Sequence, residues 1–201
     1  MPRVHRVERA RKPNAVVTAQ DIEDAKSGKR PDAASYYHWS FRYGGKHVSK
    51  TYPKQSQLTQ SEFLGAIYGL AEDLEALSEQ NSFEEIREAV EDAKSTLEEQ
   101  RDECESKRDS MPYQLQDSET GELLEQRGQY CEEMIQELDG IEIPGDDEAR
   151  EEVLPEAEAE LPDEEDIEDR EAYLDNLVEE KLNERKQQVI DEIQAVEYQG
   201  E

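Results

Sequence analysis

The spacing of hydrophobic and polar positions changes period along this chain. Between residues 36 and 52, Tyr37, Trp39, Phe41 and Tyr43 alternate with His38, Ser40 and Arg42. A period of two marks a strand. Gly44-Gly45 follows, and paired glycines suit a two-residue hairpin turn with positive φ. That turn dictates a register. Tyr43 opposes Lys46, Phe41 opposes Val48, Trp39 opposes Lys50 and Tyr37 opposes Tyr52 on one face. Arg42 with His47, Ser40 with Ser49, and His38 with Thr51 share the other. A hairpin alone is barely stable in water, so its aromatic face needs a cover.

The period then lengthens. Thr59 and Glu62 read as a capping box, and Phe63, Ile67, Leu70, Leu74 and Leu77 form one apolar helical stripe able to lie on Trp39. A second box, Ser82 with Glu85, opens a helix in which Phe83, Ile86, Val90, Ala93, Leu97, Cys104 and Met111 keep a heptad step. "SMPYQLQDSETGE" interrupts it. A third helix from about residue 122 to 138 turns Leu124, Cys131, Met134, Ile135 and Leu138 inward, so helices two and three predict an antiparallel pair. Residues 141–168 are acidic and punctuated by Pro144, Gly145, Pro155 and Pro162, which predicts an extended or only locally helical linker. Leu174, Leu177, Val178, Leu182, Val189, Ile190, Ile193 and Val196 mark a last amphipathic helix. The expected fold is mostly α. A basic flexible tail (1–34) precedes a β-hairpin-plus-helix unit (35–78). A helical hairpin or coiled coil (82–140), the acidic linker (141–168) and a C-terminal helix (169–197) follow.

Composition sharpens this picture. Of 201 residues, 34% are hydrophobic and 38% charged, with a formal net charge of −30. Chains this apolar-poor sit near the limit of compact folding. The charge is also divided. Residues 1–54 carry 12 Lys/Arg against 5 Asp/Glu, and the remainder carries 11 against 48. A basic front and an acidic body suggest contact with nucleic acid at one end. Intramolecular neutralisation, or pairing between copies, is the plainer alternative. No stretch reaches 18 apolar residues, and the basic start lacks an apolar signal core, so a cytoplasmic protein without membrane contact is expected. Two cysteines without a nearby His make no zinc set.

Candidate chemistry lies in the hairpin. Basic and hydroxyl side chains on a two-stranded ribbon can grip phosphates or enter a groove. The candidate nucleic-acid contacts are Arg42, Lys46, His47 and Lys50, with Arg6, Arg9 and Arg11 of the tail adding sequence-independent attraction. Carboxylates are abundant but undirected, and His5, His38 and His47 lie away from the cysteines, so no catalytic set, metal site or cofactor is expected. Carboxylates fixed along helices could instead imitate the phosphates of DNA, although an extended 141–168 would hold no fixed pattern.

"YYHWSFRYGGKHVSKTY" and the helix from Ser61 resemble the arm-type, AP2-like DNA-binding domains of tyrosine recombinases. Trp39, Arg42, Gly45, Lys46, Ser49, Lys50 and Thr51 carry the likeness. The resemblance implies DNA contact through the sheet of residues 35–78. "MPRVHRVERARKPN" with this hairpin is also similar to the start of small uncharacterised tailed-phage proteins. The expected function is a non-enzymatic, phage-encoded adaptor that docks nucleic acid or a nucleoprotein. Its acidic coiled coil would contact proteins or a second copy. The alternatives are an acidic DNA-mimic inhibitor of a host or defence DNA-binding enzyme and a structural virion or assembly protein.

Overall fold

The alternating segment forms the centre of a small sheet in a computed structural model of the chain, which describes residues 1–7, 36–161, 170–198 and 200. Strands β1 (His5–Val7), β2 (Tyr36–Ser40) and β3 (Lys46–Ser49) pair antiparallel in the order β1-β2-β3. Residues 5–7, read from sequence as flexible tail, are thus an edge strand. Arg9 and Arg11 lie outside the described residues.

The expected hairpin register is corrected. Trp39 opposes His47, Tyr37 opposes Ser49 and Ser40 opposes Lys46. The connection is not Gly44-Gly45 alone but residues 41–45, closed by a hydrogen bond from the Gly44 N–H to the Phe41 carbonyl at 3.3 Å. A register slip of an odd number of residues moves every side chain of a strand to the other face. His47 and Ser49 therefore join Trp39, and Val48 crosses to Tyr36. The added strand explains the choice. Tyr36 and Val48 are buried together with Val7 of β1 packed against them, a cluster the expected register could not form. On the other face the Trp39 indole stacks on His47 at 5.5 Å and donates to the Gln57 carbonyl at 3.1 Å.

A 3₁₀ turn, Gln55–Leu58, leads into α1 (Glu62–Glu75). The helix starts at Glu62, two residues later than a cap at Thr59 would start it, because Ser61 takes the capping position. Thr59 accepts from the Ser61 N–H, and Ser61 accepts from the Leu64 N–H at 3.3 Å. Phe63, Ile67, Leu70 and Leu74 are buried, as their spacing predicts.

The chain groups into two compact units, Met1–Gly69 and Leu70–Glu201. The second contains α2 (Phe83–Asp109), a short α3 (Tyr113–Gln116), α4 (Glu119–Asp139), α5 (Asp146–Ala159) and α6 (Arg170–Gln194). With these helices the fold is mostly α, 67% of the described residues being helical. Ser82 and Glu85 cap α2 reciprocally, at 3.1 and 2.9 Å. Phe83, Ile86, Val90, Ala93, Leu97 and Cys104 of α2 are buried, as are Cys131, Met134, Ile135 and Leu138 of α4. Three ion pairs flank this seam: Lys94–Asp139 at 2.8 Å, Arg101–Glu132 at 2.7 Å and Arg108–Glu125 at 3.0 Å. Each is one heptad from the next on both helices, running in opposite directions. That is the signature of one antiparallel register. At the return, Gly121 lies so close to the Gln116 backbone that a Cβ there would overlap the carbonyl.

Part of the acidic stretch is helical and carries a buried side. Residues 146–159 form α5, and Ala149, Val153 and Ala157, four residues apart, are buried. Val153, Ala157 and Val178 form a small core with Leu174, Leu177 and Leu182 of α6. Pro155 removes one helical hydrogen bond, but its ring faces solvent and the buried side chains hold the helix.

Two substitutions test this seam. Leu97, fully buried, is expected to lose about 2–5 kcal/mol as Leu97→Ala. Gly121→Ala should cost about 1–3 kcal/mol by overpacking the return. Urea melts followed by helical circular dichroism check both, and an unchanged midpoint in either would overturn the packing it tests.

Candidate nucleic-acid interface

The turn of residues 41–45 and the strand after it present exposed basic side chains. Arg42, Lys46 and Lys50 are exposed. Tyr43, which the sequence pattern turned inward, is 85% exposed, and the Arg42 guanidinium lies 5.3 Å from its ring centre. Arg–aromatic stacking of this kind leaves the guanidinium able to meet a phosphate.

The candidate cations are divided between the two faces of the sheet and the turn. Lys46 opposes Ser40, on the side of His38 and His5. Arg6 opposes Tyr37, with its guanidinium 6.0 Å from that ring, on the side of Trp39. His47 is half-buried between Trp39 and Phe41, both centred 5.5 Å away, so its ring packs against theirs. The grouping that remains is Arg42, Tyr43 and Lys46 around the turn, with Lys50 just beyond β3.

Charge accounting separates the two units. No Asp or Glu lies between residues 36 and 61, and among the described residues Arg42, Lys46 and Lys50 form no ion pair. Residues 55–201 differ. Lys94, Arg101, Lys107, Arg108, Arg150, Lys181 and Arg185 all pair with carboxylates. Arg87 donates to the Ile143 carbonyl at 2.9 Å. Lys186 donates to the Glu79 carbonyl at 3.4 Å, over the Phe83 ring. Arg127 and Arg170 are also engaged. The hydrogen bond from Arg101 holds the Glu132 carboxyl below its usual range, with Gln136 assisting.

The remaining candidate groups have structural partners. His5 and His38 stack at 5.1 Å across β1 and β2. Burial, then the charges of Lys46 and His5, lower the His38 pKa. Cys104 and Cys131 are free and buried. Burial pushes the Cys131 thiol up to about 12, with Cys104 adding to the shift, so it is not a nucleophile at neutral pH. Among the described residues no group of His, Cys, Asp and Glu is arranged to hold a metal ion, and no helix is long and apolar enough to cross a membrane. No family model, curated protein or solved structure matches the chain.

The His38 shift carries a sign. The folded sheet favours neutral imidazole, so its contribution is complete above the ordinary value of 6.5 and is lost as pH falls through the lower native value. The unfolding midpoint read from Trp39 fluorescence should therefore drop on acidification below 6.5. His38→Gln should flatten that drop. An identical pH profile in the variant would show that another group titrates.

Proposed function

We propose that this protein is a non-enzymatic adaptor that docks on nucleic acid through the turn of its sheet unit and engages proteins through its acidic helices. The observation that carries this reading is the contrast in cation use. Arg42, Lys46 and Lys50 are exposed and form no ion pair among the described residues, whereas the cations of the acidic unit are engaged. A side chain held by a carboxylate must break that contact to bind a phosphate. One without such a contact need only release counterions. Tyr43 adds an exposed ring on which a base can stack. The resemblance of residues 35–78 to arm-type DNA-binding domains supports the same class of partner, with the turn rather than a sheet face as the contact.

A second reading is favoured by α5. Its carboxylates, expected on an extended or only locally helical linker, ride on a helix packed against α6. Such a surface can imitate phosphates and occupy a basic groove.

A salt series on the full chain separates the readings. Binding of a labelled oligonucleotide is measured by anisotropy for the parent and for Arg42→Ala/Lys46→Ala/Lys50→Ala. Each lost phosphate contact should reduce the salt slope by about 0.7–0.9, so the triple variant should lose roughly 2–3 in slope. Equal slopes would sink the docking reading. A parent that ignores oligonucleotides but binds a basic DNA-binding protein, with DNA competing, would establish the mimic.

A further inference from the structure

Beside the turn, the sheet unit contains an open cleft of about 420 Å³. That volume lies within the range of small-ligand sites, about 300–1,000 Å³. Phe41, Leu64 and Tyr68 line it, together with Ser40, Gln60 and Arg42. Leu64 and Tyr68 are one turn apart on α1, each one position beyond the buried Phe63 and Ile67. Both are half-buried, so the helix presents a second apolar strip that the core does not consume. The strip has the composition of a binding wall. It carries one aromatic ring, one aliphatic side chain and a phenol at its edge.

Resting on the phosphate-docking reading above, we infer that this cleft takes an unpaired base of a single-stranded nucleic acid. Arg42 connects the two sites, since it lines the cleft and its guanidinium lies over the exposed Tyr43 ring. A phosphate held by Arg42 brings the adjoining nucleotide to the cleft mouth. The base offers a flat π surface to Phe41 and Tyr68, and base–aromatic stacking is the main sequence-tolerant source of single-strand affinity. The Gln60 amide, exposed at the rim, offers donor and acceptor together, which suits a free base edge. In a duplex the faces are stacked and the pairing edges occupied, so paired bases cannot enter. Gln60 stands beside the turn: its amide nitrogen would lie 3.0 Å from a Cβ placed on Gly44.

The test uses the full chain, a labelled single strand of about twelve nucleotides, within the usual site size, and an abasic strand of the same length and charge. The parent should bind the base-bearing strand about tenfold more tightly than the abasic one, as one stacked base supplies. Tyr68→Ala should reduce that preference several-fold, to what Tyr43 and Phe41 still supply, with the loss confined to the base-bearing strand. Gln60→Ala, at an exposed position, should reduce the preference with no change in melting temperature. Equal affinity for the two strands in the parent, or a loss in Tyr68→Ala shared by both strands, would overturn the cleft assignment and leave phosphate docking intact. Failure to bind either strand would remove the docking reading and the cleft with it. A free mononucleotide binding as tightly as the strand would assign the cleft to a soluble nucleotide and overturn the single-strand proposal.

Discussion

The antiparallel seam of α2 and α4 is the constraint on which the helical unit depends. Residues 55–201 hold 48 carboxylates and 11 cations, so two helices brought side by side repel unless cations stand where the helices meet. Lys94, Arg101 and Arg108 occupy that place at heptad intervals, opposite Asp139, Glu132 and Glu125. Ion pairs this exposed add little to stability taken singly. Their effect is on register. Sliding either helix by one heptad would leave a terminal cation without its carboxylate, and a smaller slide would set cations against apolar positions. The stabilising energy lies inside, in Ile86, Val90, Leu97, Ile135 and Leu138, while the flanking charges select which of several similar seams forms.

On the proposed reading, that arrangement also disfavours the body as the phosphate contact. Its cations already have partners, and freeing one would expose carboxylates beside it. The sheet unit faces the opposite condition. Lacking any acid between residues 36 and 61, it cannot neutralise Arg42, Lys46 and Lys50 from its own segment. It holds together by other means: the Trp39–His47 stack, the indole hydrogen bond to Gln57, and the cluster of Tyr36 with Val48 and Val7.

Much of this was legible in the order of residues, and the failures share a cause. The helices of 83–138 were readable because their apolar spacing is sustained over many turns and Ser82–Glu85 marks the start. The hairpin was correctly placed but misregistered, since Gly44-Gly45 is a strong local turn signal. What overrode it was nonlocal: pairing of His5–Val7 with β2, which gave Val48 a partner on the far face. Helix α5 was hidden for a similar reason. Its buried residues are Ala149, Val153 and Ala157, too small to stand out among carboxylates, and Pro155 reads as a breaker until its solvent-facing position is known. The candidate site was legible by residue type more than by geometry. Arg42, Lys46 and Lys50 are exposed as required. His47 was drawn inward because ring stacking on Trp39 buries apolar surface that a basic face would have left open. Tyr68 and Leu64 carried no signal, because a helical residue one step off the main stripe looks like an ordinary boundary position.

A formal charge of −30 constrains how any docking on nucleic acid must work. At long range the chain repels phosphate. At physiological ionic strength that repulsion is screened beyond about 8 Å. Contacts closer than this are governed by the side chains actually present, and around residues 41–46 those are cations and an aromatic ring. Salt therefore acts in two directions. It relieves the repulsion that slows approach, and it weakens the phosphate contacts themselves. The salt slope of the full chain reports the sum of the two. Parent and charge-removed variant carry the same acidic body, so that contribution is common to both. Their difference isolates the contacts made by Arg42, Lys46 and Lys50, even where the parent's own slope is shallow.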